Sequence, residues 1–216
     1  MAMNTVAMRY ALGVIILMMG LAAPVEAASL FGFGERQRTS MRVFTKWLGI
    51  WPRTERQALD KSLICPPKPL RPCGPEVFEQ MLLNMPKTPG MEQLNAVNLA
   101  FNNSPYITDP INWGVPDFWA TVHEFLSRDG DCEDYAIAKY MTLKRLGIPA
   151  ENMRIVVLDD LNLRVAHAVL MVEMDGQRWI LDNQINSVLP DTAIHHYRPI
   201  YSINETAWWQ HSLPRR

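Results

Sequence analysis

Basic residues in excess are what this chain most clearly lacks. It carries 21 lysines and arginines against 22 acids, a net charge of -1, without a basic block or basic residues interleaved with aromatics. The electrostatic footprint of a nucleic-acid binder is therefore missing. No internal repeat or long low-complexity segment divides it. Cysteine is scarce, three in 216 residues, and Cys132 has no second cysteine or histidine at ligand spacing, which argues against zinc there. Long apolar runs are scarce too. The single one, Ala11 to Ala23, is too short and too abruptly ended by Pro24 to span a bilayer.

That run follows a short leader with one basic residue, Arg9, and precedes small residues at VEAAS. The pattern predicts a secretory signal peptide over 1–27, cleaved after Ala27, with an uncleaved anchor as the alternative. Residues 28–216 are then one exported domain, long enough for a single substantial core. Export makes the cysteines informative. Cys65 and Cys73 flank the proline-rich stretch CPPKPLRPCGP, a stiff loop, and an oxidising compartment favours closing that pair and leaving Cys132 over. Three reduced, buried cysteines are the alternative, if proline stiffness holds the α-carbons apart.

Helix signals fill the first half, around Thr39–Leu48, Thr54–Ser62, Pro75–Asn84 and Pro89–Asn102, each bounded by Pro, Gly, Ser, Thr or Asn. The stretch NWGVPDFWATVHEFLSRDGD is aromatic-rich and turn-rich and receives no regular element. A helix opened by Asp131 follows, with Ala136, Ile137, Tyr140, Met141 and Leu143 toward a core, and stops at Gly147-Ile148-Pro149. Beyond it MRIVVLDD, VAHAVLMVEM, QRWILDN and YRPIYSIN read as strands. Helices followed by strands predict an α+β domain.

If Asp175-Gly176 is the tight turn of a hairpin, Glu173 faces Arg178, Met171 faces Ile180 and Val169 faces Asp182. Opposite charges at 173 and 178 favour that register. It puts His167 and Asp182 on one sheet face, one diagonal step apart, within reach of each other. An incidental buried histidine beside a turn-capping aspartate is the plainer reading of those two residues. Cys132 changes the balance. With Asp131 as N-cap it stands at the first helical position, where backbone NH groups and the helix dipole favour a thiolate. Nucleophile, base and orienting carboxylate are then available for acyl transfer. Its backbone NH is a natural oxyanion donor, with Trp119 a candidate neighbour.

The sequence around the cysteine poses a difficulty. DGDCEDYAIAKY surrounds it with Asp129, Asp131, Glu133 and Asp134, and nearby negative charge opposes thiolate formation. An acidic first turn complementing the dipole, with Asp131 and Asp134 as a capping box, accounts for the acids without chemistry. An EF-hand does not, because Gly130 is misplaced and Tyr140, at position twelve of such a loop, is no ligand. His123, His195 and His196 lack partners at useful spacing and read as core or surface residues.

GDCEDYAIAKY, the downstream RVAHAVL and WILDNQ, together with FWATVHEFL and KRLGIP, resemble the bacterial transglutaminase-like cysteine proteinases, in particular the periplasmic enzymes that release surface adhesins. The likeness runs from about Trp113 to Asn183. It implies a papain/transglutaminase-like fold with the nucleophile helix packed on an antiparallel sheet. It assigns Cys132 as nucleophile, His167 as base and Asp182 as orienting carboxylate. It also implies a calcium ion held beside the cysteine by Asp131 and Glu133, with Asp134 as a further ligand. A bound dication would offset the acids that push the thiol pKa upward, and hard oxygen ligands suit Ca²⁺. By the same resemblance the substrate is the N-terminal region of a large surface adhesin, cut in the periplasm to promote biofilm dispersal, and the partner is an inner-membrane cyclic di-GMP receptor that sequesters the protease. A transglutaminase passing the acyl group to an amine, a non-catalytic calcium-dependent binding module and a structural exported protein remain open alternatives.

Overall fold

The computed structural model describes residues 29–65 and 73–213. The expected signal peptide, 1–27, lies outside them. Seven strands form one sheet: β1 (Gly34–Arg38), β2 (Met153–Asp160), β3 (Val165–Met174), β4 (Gln177–Leu181), β5 (Leu189–Pro190), β6 (Tyr197–Ile203) and β7 (Trp208–Ser212). Their order is β1-β7-β6-β2-β3-β4-β5, and every pairing is antiparallel. The four longer segments expected as strands occupy its centre and one flank. β1, β5 and β7 were not expected: the first is polar (GERQR), the second has two residues, and each is defined by a partner rather than by its own pattern.

The β3–β4 hairpin has the expected register, with Glu173 opposite Arg178 and Met171 opposite Ile180. Asp175 and Gly176 both adopt positive φ, 53° and 72°, as a tight turn matched to the strand twist requires. Alternation along these strands sends side chains to two separate cores. Ile155, Leu170, Val172, Leu181 and Ile203 join the helices on one face. Val156, Leu158, Val169, Met171 and Ile180 pack with Leu30, Ile194 and Tyr197 on the other.

The helices are α1 (Thr45–Leu59), α2 (Gly74–Asn84), α3 (Met91–Asn102), α4 (Asp109–Asn112), α5 (Val122–Arg128) and α6 (Cys132–Arg145). The two helices expected on either side of Pro52 are one, α1. Proline removes an interior backbone bond, but Trp47 and Ile50 on either turn of this helix are fully buried, and tertiary burial outweighs the local breaker. Helix α5 lies in the stretch left without an element. Its start carries a capping box between Thr121 and Glu124, a spacing the sequence displays openly.

Helix α6 packs on β3 and β2 and against α3 and α5. Tyr135 through Leu143 are buried without interruption, so this helix is the centre of the helical layer, surrounded on all sides. Its N-terminus, with Cys132, comes out at the level of β3. Cys65 and Cys73 are joined, with α-carbons 5.5 Å apart, and Cys132 is the free thiol. No helix among the described residues is long and apolar enough to cross a membrane.

Candidate active site and acidic cluster

Cys132 opens α6, and Asp131 caps it in a capping box with Asp134. The half-buried thiol donates to Glu133 Oε2 at 3.1 Å. Burial pushes its pKa far up, and the charge and hydrogen bond of Glu133 and the charge of Asp131 push the same way. The helix dipole therefore does not prevail on its own here. One opposing contact comes from the sheet: the backbone NH of Ala168, next to His167 on β3, points to Sγ and favours the thiolate. The phenol of Tyr106, a residue the sequence reading did not single out, also hydrogen-bonds the thiol.

His167 and Asp182 meet, as the hairpin geometry requires. Nε2 of His167 lies 2.9 Å from Asp182 Oδ1, and both side chains are buried. Burial alone would raise the Asp182 carboxyl; the His167 bond and charge, the Gln184 NH at 2.9 Å and the Tyr197 hydroxyl outweigh it and hold the carboxyl below its ordinary range. An ionised carboxylate only accepts, so Nε2 carries the ring proton and Nδ1 is the nitrogen left for exchange. Tyr197, 61° to the His167 ring at 5.9 Å, belongs to this site and was not foreseen. No hydrogen bond joins Sγ to the imidazole among the described residues. They approach through adjacent β3 residues, and such contacts commonly tighten only with substrate. Trp119 packs edge-to-face on Trp47 and gives its carbonyl to Arg53.

The acids form two overlapping groups. Asp109, Asp131 and Asp134 offer carboxylate oxygens within 4.8 Å of one another, and Asp109, Asp117 and Glu133 do likewise. Asp109, on the short helix α4, belongs to both. It stands 22 residues from Asp131, a separation carrying no ligand signal. The local fold ties the groups together: Asp109 NH donates to Asp131 Oδ2 at 3.3 Å, and Asp109 Oδ2 accepts from the Phe118 NH at 2.5 Å. Asp134 Oδ1 accepts from the Ala120 NH at 2.6 Å. Two buried oxygens, Asp109 Oδ1 and Asp131 Oδ1, have no hydrogen-bond partner. Burial raises the pKa of Asp109, Asp131 and Asp134, and that of Glu133 is pushed up to about 8 by burial and then by Asp131. Orphaned buried oxygens in a cluster of carboxylates fit a hard divalent cation, which would satisfy both the lone pairs and the charge. Asp129, the remaining acid of the motif, turns the chain into this site with φ 65° and is in neither group.

A family model described as bacterial transglutaminase-like cysteine proteinase BTLCP matches residues 69–213. Among solved structures, LapG of Legionella pneumophila matches with 35% sequence identity and a TM-score of 0.56, covering 62% of this chain and 76% of that one. A calcium-bound LapG from the same organism matches with 29% identity and a TM-score of 0.58, covering 74% and 86% respectively. No curated protein matches the chain.

Proposed function

The chain belongs to the bacterial transglutaminase-like cysteine proteinases, and from that membership we propose that it is a periplasmic, calcium-dependent cysteine endopeptidase acting on the N-terminal region of a large surface adhesin. Cys132 is its nucleophile, His167 its base and Asp182 the carboxylate that orients the base. The observation that carries this reading is the buried His167–Asp182 bond, 2.9 Å long, on a strand whose next residue contacts the thiol of a cysteine at a helix start.

In this reading Cys132 Sγ, as thiolate, forms a bond to the scissile carbonyl carbon, and backbone NH groups at the start of α6 receive the developing oxyanion. Protonated His167 then gives its Nδ1 proton to the leaving amine as the C–N bond breaks. Water attacks the resulting thioester with His167 as general base, and carboxylate product and thiolate are regenerated. Asp182 keeps the ring's Nε2 proton occupied throughout, fixing the tautomer. Asp109, Asp131, Glu133 and Asp134 would hold calcium. When bound, the ion supplies positive charge that offsets the acids beside Sγ and so favours the thiolate.

The disulfide between Cys65 and Cys73 and the apolar leader, Ala11 to Ala23, support the periplasm as the compartment. The adhesin substrate and an inner-membrane cyclic di-GMP receptor as partner follow from the family resemblance alone. The test is cleavage of adhesin N-terminal fragments with calcium, with EGTA, and with EGTA overcome by Ca²⁺ or Mg²⁺. Cleavage should stop with EGTA and return with Ca²⁺ far better than with Mg²⁺, which demands tighter octahedral geometry. Cys132→Ala should lose at least ~10³-fold in rate. Normal cleavage by that variant ends the thiol reading, and indifference to EGTA withdraws the metal.

A further inference from the structure

Lys139 lies in α6 two turns beyond Cys132, and its side chain is fully buried. Such a lysine is retained only where its donors are satisfied. Here Nζ donates to Asn98 Oδ1 at 2.8 Å and to Asn102 Oδ1 at 2.7 Å, both on α3. Lysine has donors and no acceptor when charged, so the oxygen of each amide must face it and the NH₂ of each must face away. Those NH₂ groups are all spent on one segment. Asn98 Nδ2 donates to the carbonyls of Ile185 and Asn186 at 2.9 and 3.0 Å. Asn102 Nδ2 donates to the carbonyls of Asp182 and Ile185, at 2.8 and 3.2 Å.

We propose that Lys139 is a positioning residue: by holding the amide oxygens of Asn98 and Asn102 it fixes the sense of both amides, and they hold segment 182–186 so that Asp182 stays against His167. The inference rests on Asp182 being the orienting carboxylate of the proposed protease. β4 ends at Leu181, so Asp182 is the first residue beyond the ladder and no strand pairing fixes its backbone carbonyl. The amides of α3 supply what the sheet does not. Burial draws the Lys139 amine down to about 7, with the Asp182 charge acting against that shift. Even the neutral amine retains two N–H bonds, one for each amide oxygen, so the device does not depend on the charge.

Two variants test it. Lys139→Met keeps the length of the side chain and removes both donors, freeing the amides to turn. Asn102→Asp keeps an acceptor for Lys139 and removes the NH₂ that holds the carbonyls of Asp182 and Ile185. Each is compared with wild type in calcium by melting temperature, by the downfield proton NMR signal of the His167 ring NH, and by the rate of Cys132 alkylation with iodoacetamide at neutral pH. Folded variants that lose the protected ring-proton signal and are alkylated at least tenfold more slowly support the positioning role. A folded variant with a wild-type signal and a wild-type rate overturns it. Loss of the fold in both assigns the network to stability alone and overturns it equally. Asp182→Asn separates this inference from its premise: if that variant leaves the alkylation rate and adhesin cleavage unchanged, the reading of Asp182 has failed whatever Lys139 does.

Discussion

Gly130 precedes the capping aspartate, and a methyl group there has no room. A Cβ built on it would lie 2.3 Å from Asp134 Oδ2, 2.7 Å from Asp134 Cβ and 2.9 Å from Asp134 Cγ. Asp134 Cβ is anchored to the backbone of the first turn of α6, so rotating the side chain relieves the contacts at Oδ2 and Cγ and leaves one at 2.7 Å that a shift of that turn must absorb. Gly130→Ala must therefore push the start of α6 away or turn the Asp134 carboxyl out of its site. The second route breaks the 2.6 Å bond from the Ala120 NH, leaving a buried donor unpaired at about 1–3 kcal/mol. It also undoes the capping box, at about 1 kcal/mol. The sum is about 3 kcal/mol, which in a chain of this size lowers the melting temperature by roughly 10 °C. Since Asp134 belongs to the acidic group with Asp109 and Asp131, calcium affinity should fall at least tenfold in parallel, measured by titration calorimetry, with cleavage partly restored by millimolar calcium. Gly49→Ala is the control, because its Cβ meets nothing nearer than Arg53 Nη1 at 3.9 Å in a helix interior, where alanine gains about 0.5–1 kcal/mol. If Gly130→Ala melts within about 2 °C of wild type and binds calcium normally, the close packing of Gly130 on Asp134 is not what shapes the site.

Two further outcomes follow from the same chemistry. Glu133 has a folded pKa of about 8, above its ordinary 4.5, and Asp109, Asp131 and Asp134 are raised in the same direction. Groups raised on folding bind extra protons in the native state, so their contribution to stability is complete at low pH and is lost as pH rises through the folded value. In EGTA the melting temperature should fall between pH 5 and about 8, and saturating calcium should remove most of that slope; a flat profile in EGTA would contradict it. Lys139, drawn down to about 7, acts in the opposite sense only above that pH. For the disulfide, closing a loop of sequence separation 8 corresponds to about 2–3 kcal/mol in the chain-entropy account. Replacing Cys65 and Cys73 together by serine should lower the melting temperature by about 5–10 °C, and non-reducing mass spectrometry should find Cys132 alone alkylated; ready alkylation of all three thiols without reductant would refute the pairing.

Local and short-range physics was readable in the residues themselves. Alternating β-branched residues and Asp175-Gly176 fixed both strands of the central hairpin and its register, because side-chain period and turn type admit few solutions. That register put His167 and Asp182 on one sheet face, within reach of each other. The first turn of α6 was equally legible, since a cap and its box span only three residues, and so was the closure of Cys65 on Cys73 at a sequence separation of 8. The capping box that starts α5, Thr121 to Glu124, was present in the sequence too, obscured by the aromatic and turn residues around it. Other features existed only after the chain had packed. α1 runs through Pro52 because buried Trp47 and Ile50 hold it, an energy that no local propensity contains. β1 and β5 are strands only because β7 and β4 lie beside them. Asp109 joins Asp131 and Asp134, Tyr197 reaches Asp182, and Asn98 and Asn102 bridge Lys139 to segment 182–186. None of those partners is at helix or strand spacing from the residue it serves. A polar side chain acquires such a partner when burial removes water and leaves the nearest donor or acceptor in space to replace it. Which one is nearest is set by how helices stack on a sheet, and no stretch of sequence records that.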